Sequence, residues 1–274
     1  MHLIADCGAT KIEWIVADGD TVVGRVVTDG INFSQTGVKP LSEILDTLDV
    51  GTVDAVYFYG AGCLGGIIDE VRDMLSARFA GADVEVASDM LAAARALCGR
   101  EAGIACILGT GANSCLYDGN MIVDNVPALG YILGDEGSGA VLGRNLLNML
   151  FKRRLSPEVT AAFEDRYGLT AGEVIARTYR GERPAAFLAS FAPFINEYIG
   201  DPDVERMVIE SFEAFFRNNV CAYDGHDRLP VNFTGSIAAN FSRQLADAAR
   251  RAGCAIGLVT PSPSAGLVAY HSMK

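Results

Sequence analysis

Residues 3–11 read LIADCGATK, and this stretch decides the fold. An apolar run typical of a buried strand ends at the carboxylate Asp6, and small residues, Gly8 among them, follow directly. Removing side chains beside a tight turn lets successive backbone N–H groups approach and hold an anion. Thr10 would add a hydroxyl and Lys11 a positive charge, while Asp6 could hold a hydrated Mg²⁺ against the same phosphates. The ordinary alternative is a β-hairpin turn with Asp6 as a turn former, and this stretch alone favours it.

A second copy of the pattern favours the phosphate-binding interpretation over the ordinary hairpin turn. Residues 103–111 read GIACILGTG, an apolar strand that again ends in small residues. The segments 7–10 (CGAT) and 110–113 (TGAN) share a Gly-Ala pair followed by a polar residue, and each copy continues into a hairpin with an Asp-Gly turn, at 18–19 and 118–119. Two pieces that recur in the same order predict an internal duplication with one phosphate-binding turn in each half.

The surrounding pattern predicts an α/β protein. Strands are expected at 2–8, 11–17, 21–27, 53–60, 83–87, 103–111, 114–120, 121–125, 230–235 and 255–260. Apolar residues at three- and four-residue spacing predict helices near 40–48, 67–79, 90–97, 137–151, 157–167, 171–180, 184–199, 203–220, 237–252 and 263–271.

Ser88 and Asp89 follow the predicted strand 83–87 and open a helix. A helix N-cap explains both residues locally. The functional alternative places Asp89 at the carboxyl edge of the sheet, where ligands of open α/β sheets usually bind. The two interpretations are compatible, because Ser88 can cap the helix while Asp89 faces a ligand.

The loop 129–139 reads LGYILGDEGSG, in which four glycines surround Asp135 and Glu136. As pure structure such a loop is costly, although Asp135 could simply cap the helix that follows. As a ligand site it offers a close-approach surface with carboxylates that could accept sugar hydroxyl protons. Asn32, after the third strand, could bond an amide or hydroxyl, although Asn in a turn needs no ligand. A third Gly-hydroxyl turn at 233–236 (FTGS) enters a helix, where a nucleotide could meet the backbone.

Composition excludes several classes of protein. With 22 Lys and Arg against 34 Asp and Glu, the net charge of −12 argues against general nucleic-acid binding. No apolar run approaches the roughly 20 residues that span a bilayer, and the first residues suggest no secretion signal, so we expect a cytoplasmic protein. No zinc-site spacing joins the three histidines to the scattered cysteines, which are Cys7, Cys63, Cys98, Cys106, Cys115, Cys221 and Cys254.

Four motifs in order resemble the sugar-kinase branch of the actin/Hsp70/hexokinase superfamily: IADCGATK (4–11), GTGAN (109–113), LGYILGDEGSGAVLG (129–143) and NFTGSIA (232–238). More closely, the chain resembles the N-acetylglucosamine kinase-like members of the BadF/BadG/BcrA/BcrD-type ATPase family. The resemblance implies two ribonuclease-H-like domains, 1–98 and 99–262, with an interdomain active-site cleft. The final helix, 263–274, would pack back on the first domain.

The resemblance also implies ATP and Mg²⁺ as cofactors. Asp89 would be the general base, and Asp6 would organise Mg²⁺ through water. The phosphates and nucleoside would contact Gly8, Thr10, Lys11, Gly109, Thr110, Gly111, Gly235 and Ser236. The sugar would contact Asn32, Ala112, Asn113, Gly130 and Asp135. Many relatives carry D-G-G-G-T in the first turn, where this chain has Cys7 and Ala9, residues poorly suited to a positive φ.

The implied activity is ATP-dependent phosphorylation of the C6 hydroxyl of N-acetylglucosamine, with N-acetylmuramic acid and glucosamine left open as substrates. A rival from a different class is an ATPase activator that drives electron transfer, but that branch carries G-G-Q-D in the second turn and a Cys-His pair where this chain has Ser88-Asp89. A sugar-sensing regulator without catalysis is the third interpretation. The expected partners are the amino sugar and ATP, with neither nucleic acid nor membrane, and a homodimer is compatible with the sequence.

Overall fold

Two five-stranded sheets share one strand order in the computed structural model, which describes residues 1–272. The first has the order β3-β2-β1-β4-β5, built from β1 (His2–Cys7), β2 (Lys11–Asp18), β3 (Thr21–Asp29), β4 (Ala55–Gly60) and β5 (Asp83–Ser88). The second, taken in the same direction, has the order β8-β7-β6-β9-β10, built from β6 (Gly103–Leu108), β7 (Ala112–Tyr117), β8 (Ile122–Asp124), β9 (Val231–Thr234) and β10 (Ile256–Thr260).

The pairing directions repeat as well. In the first sheet β1 pairs antiparallel with β2 and parallel with β4. In the second, β6 pairs antiparallel with β7 and parallel with β9. The predicted duplicated α/β fold is therefore confirmed.

Alternation along β1 explains why the first sheet is covered on both faces. Leu3 and Ala5 belong to the core beneath α2 (Lys39–Thr47) and α3 (Gly66–Arg78). Ile4 belongs to a separate core with α4 (Asp89–Cys98) and α14 (Ser264–Ser272). Because successive strand residues point to opposite faces, this apolar run fills both layers, and the strand can end in a polar residue only at its edge.

The helices largely follow the apolar spacing. The remaining ones are α1 (Phe33–Thr36), α5 (Gly130–Leu133), α6 (Gly139–Phe151), α7 (Pro157–Tyr167), α8 (Ala171–Arg180), α9 (Pro184–Ala189), α10 (Ala192–Glu197), α11 (Pro202–Asn218), α12 (Ser236–Asn240) and α13 (Ser242–Arg251), with a 3-10 turn at Val220–Ala222. The short helices α1 and α5 were not predicted, because four residues carry no helical periodicity.

Two predicted helices are each divided in the structure. The segment 184–199 breaks between α9 and α10, where Pro193 lacks the N–H that a continuous helix needs. The segment 237–252 breaks at Phe241, whose backbone leaves helical geometry (φ −112°, ψ 29°) while its side chain is buried in the core.

The chain divides into two compact units. Unit 1 comprises Met1–Glu101, Asp118–Ile122 and the chain from Pro263 onward, and unit 2 comprises Ala102–Tyr117 and Val123–Ser262. The predicted domain boundaries stay a prediction, and positions 273 and 274 of the predicted final helix lie outside the described residues. Over residues 1–272, the helices are all too short or too polar to cross a membrane.

Candidate active site

The first predicted phosphate turn joins β1 to β2 and is closed by its own backbone. The Gly8 N–H donates to the Lys11 carbonyl at 3.0 Å, so this amide serves the hairpin. The Thr10 N–H meets no acceptor within the described part of the chain, and its side chain is exposed. Neither Cys7 nor Ala9 adopts a positive φ, so both fit this turn without strain. A ligand anion would therefore meet the Thr10 amide and hydroxyl together with the Lys11 ammonium.

A glycine after β3 brings the Asn32 segment against this turn. The Gly30 N–H donates to the Thr10 carbonyl at 3.2 Å. A Cβ at position 30 would lie 2.3 Å from the Lys11 nitrogen, so this approach requires glycine. The segment 30–33 was a predicted candidate through Asn32, whereas the need for glycine at position 30 was not predicted; a glycine directly after a strand is the signal for it.

Strand register places two of the predicted acids at one edge of the first sheet. Cys7 at the end of β1 pairs with Gly60 of β4, and Gly60 pairs with Ser88 of β5. The residues beside these ends, Asp6 and Asp89, are thus about two strand spacings apart, or roughly 10 Å at the backbone. The register therefore places Asp89 at the carboxyl edge of the sheet, as predicted.

Asp89 begins α4, and its neighbour caps that helix. The Leu91 N–H donates to the Ser88 hydroxyl at 3.3 Å, as predicted for the cap. The Asp89 carboxylate accepts the Met90 N–H at 2.9 Å. Burial raises the pKa of Asp89 to about 6, against the opposing effect of hydrogen bonds from the backbone N–H groups of Met90 and of Asp89 itself. A carboxyl with this pKa is ionised at pH 7 and is a stronger base than an ordinary aspartate.

Asp6 lies directly opposite Glu13 in the β1–β2 pair. Burial raises the pKa of Asp6 to about 6, and the charges of Asp89 and Glu13 add to the rise, while Lys11 opposes it. Glu13 is itself buried and accepts from Arg25 at 2.5 Å. Sequence reasoning missed Glu13, because nothing local distinguishes a glutamate that faces Asp6 from one that faces solvent.

The second phosphate turn is joined to the N-terminus of α6. The Gly109 N–H closes the turn on the Gly111 carbonyl at 3.0 Å. The first amides of α6 then donate to the turn, Gly139 to the Gly109 carbonyl at 2.8 Å and Ala140 to the Thr110 carbonyl at 3.1 Å. Since the carbonyls face the helix, the amides of Thr110 and Gly111, which meet no acceptor among the described residues, are left for an anion.

Asp135 links the glycine-rich loop to the same turn. Its carboxylate accepts the Ala112 N–H, and burial raises its pKa to about 6 against that bond, with Glu136 adding to the rise. A Cβ at Gly111 would lie 3.1 Å from the Asp135 Oδ2, so the turn leaves room for this carboxylate. The loop and the turn therefore form one hydrogen-bonded assembly.

Backbone strain is concentrated in this loop. Leu129 and Asp135 adopt positive φ values of 62° and 53°, and a third such non-glycine among the described residues lies at Arg153. Left-handed backbone costs an ordinary residue about 1–2 kcal/mol. Gly130, between the two, has a φ of 73° and open space around its Cβ position, which suits a close approach by a ligand.

The other predicted residues of unit 2 lie on neighbouring segments. Asn113 accepts the Asn125 Nδ2 at 3.1 Å through its Oδ1, which leaves its own amide nitrogen as a donor. Gly235 has a φ of 116°, and a Cβ there would lie 2.3 Å from the Leu108 carbonyl at the end of β6. The third turn thus packs against the strand that leads into the second turn, and the exposed Ser236 begins α12.

The acids, thiols and imidazoles of the described residues do not form a metal cage of their own. Among residues 1–272, no group of three or more His, Cys, Asp or Glu side chains is arranged to hold a metal ion. Mg²⁺ at nucleotide sites instead keeps several waters and uses one or two carboxylates with substrate phosphates. The partly buried Asp6, with raised pKa and two acidic neighbours, fits that donor set, because a cation would relieve the repulsion.

Comparison with solved structures identifies the family. The crystal structure of a Porphyromonas gingivalis protein, provisionally assigned as an N-acetylglucosamine kinase, matches with a TM-score of 0.96 and 42% identity, covering 100% of this chain and 99% of that chain. This chain belongs to the same N-acetylglucosamine kinase-like family as that protein. The resemblance inferred from the four motifs is thereby confirmed.

More distant structures share the fold of this N-acetylglucosamine kinase-like chain. A Chromobacterium violaceum protein with the same provisional assignment matches at a TM-score of 0.72 and 22% identity, covering 100% and 98% of the two chains. A ROK family glucokinase from Streptomyces griseus, in complex with glucose and AMPPNP, matches at 0.56 and 17%, covering 99% and 98%. No protein-family model matches the chain, and the comparison with curated proteins gives no match.

Proposed function

We propose that the chain is an ATP-dependent kinase that phosphorylates the C6 hydroxyl of an amino sugar, N-acetylglucosamine. The full-length similarity to the Porphyromonas gingivalis protein carries this proposal. The placement of Asp89 at the sheet edge, partly buried and with a pKa raised to about 6, supports it. Use of ATP also leads us to propose a cytoplasmic location.

Phosphate binding would rest on backbone amides and hydroxyls. Thr10 and Lys11 of the first turn and the amides of Thr110 and Gly111 of the second are the donors that remain available. Gly235 and Ser236 would border the nucleoside. Amide donors suit an acidic chain, because they bind phosphate without a basic surface patch.

Asp89 would act as the general base. The C6 hydroxyl would give its proton to the Asp89 carboxylate as its oxygen bonds to the γ-phosphorus, and the bond from that phosphorus to the β-phosphate oxygen would break to release ADP. A base with a pKa near 6 is mostly ionised at pH 7 and holds the transferred proton better than an ordinary aspartate.

Asp6 would hold Mg²⁺ through water. The bound ion would neutralise charge on the β- and γ-phosphates. Asp6 itself would become fully ionised on loading, since a nearby cation lowers the pKa of a carboxyl.

Five residues would contact the sugar. Asn32 and Asn113 would offer amide nitrogens, and Asp135 would use the carboxylate oxygen that the Ala112 amide leaves available to accept a hydroxyl proton. Gly130 and Ala112 would supply close backbone approach.

An ADP-release assay with a panel of sugars tests the proposal. With ATP and Mg²⁺, we expect ADP release that depends on N-acetylglucosamine and exceeds the rates with N-acetylmuramic acid, glucosamine and glucose. Replacing Asp89 with Asn should lower kcat by about 10²- to 10⁴-fold, the usual contribution of a general base. Asp83→Asn, which changes an exposed acid at the start of β5, the strand that leads into Asp89, is the matched control and should retain activity. Equal ADP release without any sugar would instead identify an ATPase.

A further inference from the structure

Asn32 occupies the N-cap position of α1 without capping it. Its backbone is extended (φ −105°, ψ 99°), and its side chain makes no bond to the helix amides. The Ser34 hydroxyl instead donates to the Asn32 Oδ1 at 2.6 Å. With its oxygen directed toward Ser34, the Asn32 side chain has its Nδ2 as the group for a ligand.

A glycine on a separate loop closes the other side of this pair. Gly62, just after β4, has a φ of 74°. A Cβ at that position would lie 2.7 Å from the Ser34 nitrogen and 2.9 Å from the Asn32 Oδ1. Any larger residue would therefore displace the amide oxygen or the backbone that carries Ser34.

The segment that carries the pair is fixed at both neighbouring residues. The Ile31 N–H donates to the Gly8 carbonyl at 3.0 Å, and the Phe33 N–H donates to the Ala61 carbonyl at 3.0 Å. The Phe33 ring is buried and packs edge-on against Phe58. Backbone hydrogen bonds therefore hold the segment on both sides of Asn32. The contacts with Ser34 and Gly62 then restrict the orientation of the Asn32 side chain.

We propose that Ser34 and Gly62 are positioning residues that set which face of the Asn32 amide meets the sugar. The inference rests on the proposed function, in which Asn32 contacts the substrate. It assigns Asn32 the role of a donor through Nδ2 to an acceptor oxygen of the sugar. Ser34 and Gly62 would then act on sugar affinity through Asn32 and leave ATP binding and the chemical step alone.

Substitutions at Ser34 test the role of the hydroxyl. Ser34→Ala should raise the KM for the sugar about 3- to 10-fold, the value of one modest hydrogen bond, with kcat and the KM for ATP changed less than about twofold. Ser34→Thr keeps the hydroxyl and should restore the wild-type KM. In an Asn32→Ala background, Ser34→Ala should have no further effect, because it acts only through Asn32.

A glycine pair provides the matched test of the second contact. Gly62→Ala should raise the sugar KM at least as much as Ser34→Ala. Gly65→Ala introduces a Cβ at a similar positive φ of 55° but meets nothing within 4 Å, so it should leave the sugar KM unchanged. Circular dichroism would confirm that each variant is folded.

The outcomes separate the inference from the proposed function. A wild-type chain that phosphorylates no sugar overturns both. An active wild-type chain overturns the inference alone if Ser34→Ala leaves the sugar KM unchanged, if Ser34→Thr fails to restore it, or if the loss persists undiminished in the Asn32→Ala background.

Discussion

The charge of Asp89 costs folding free energy, and removing it should stabilise the protein while it lowers kcat. A carboxyl with a higher pKa in the folded chain than in the unfolded chain binds its proton more tightly when folded. Its charge therefore opposes folding at a pH above the folded-state pKa, and the effect disappears at a pH below the unfolded-state pKa. For Asp89 these limits are about 6 and 3.8.

The size of the effect follows from these two values. A difference of about two pH units corresponds to about 3 kcal/mol at 1.4 kcal/mol per unit. Because Asp89 is partly exposed, solvent screening lowers the expected gain for Asp89→Asn to about 1–3 kcal/mol at pH 8. At pH 4.5 the gain should shrink to about a third, since the wild-type carboxyl is then largely protonated in the folded chain. The Asn Oδ1 can still accept the Met90 N–H, so that bond is preserved.

Thermal melts at the two pH values provide the assay. We expect Asp89→Asn to melt roughly 3–10 °C above wild type at pH 8 and close to wild type at pH 4.5. Asp83→Asn, at an exposed position on the preceding strand β5, should shift neither melt. An Asp89→Asn melt at or below wild type at pH 8, or a gain independent of pH, would refute the assignment of Asp89 as a partly buried charge that opposes folding.

Three further predictions concern the site and its support. The kcat/KM for the sugar should fall at least tenfold per pH unit below about pH 6, because the Asp6 and Asp89 carboxyls become protonated. A flat profile down to pH 5 would contradict this. Gly111→Ala, whose Cβ would lie 3.1 Å from the Asp135 Oδ2, should lower kcat/KM about 3- to 10-fold in the ADP-release assay, whereas Gly200→Ala, in open space, should not. Gly143→Ala would place a Cβ 1.9 Å from the Leu188 carbonyl oxygen and should lower the Tm by several degrees. In open space a Gly→Ala change within a helix is instead stabilising, so an unchanged Tm would contradict the packing of α6 on α9.

Much of the fold was predictable because strand and turn chemistry are local. The small-residue turns after β1 and β6, each followed by an Asp-Gly hairpin, were enough to predict the duplication that the strand orders confirm. Ser88 was predicted as a helix cap from the same local chemistry. The division of the helix 184–199 depended on Pro193, whose effect the apolar spacing conceals.

The interior of the site was less predictable, because it depends on contacts between distant segments. The amides of Gly8 and Gly109 close their own hairpins, a detail of backbone geometry that glycine content does not reveal. The close approaches at Gly30 and Gly62 join loops that are far apart in sequence. The raised pKa of Asp6 depends on burial and on acids from β2 and α4, which no local pattern encodes.

The central claim is that the chain moves the γ-phosphate of ATP to the C6 hydroxyl of an amino sugar with Asp89 as the base. NMR analysis of the product formed from ATP, Mg²⁺ and N-acetylglucosamine tests it most directly. We predict a phosphorus coupled to C6 of the sugar, formed in step with ADP and lost in Asp89→Asn. Release of inorganic phosphate with the sugar unmodified, or phosphorylation at C1, would contradict the claim.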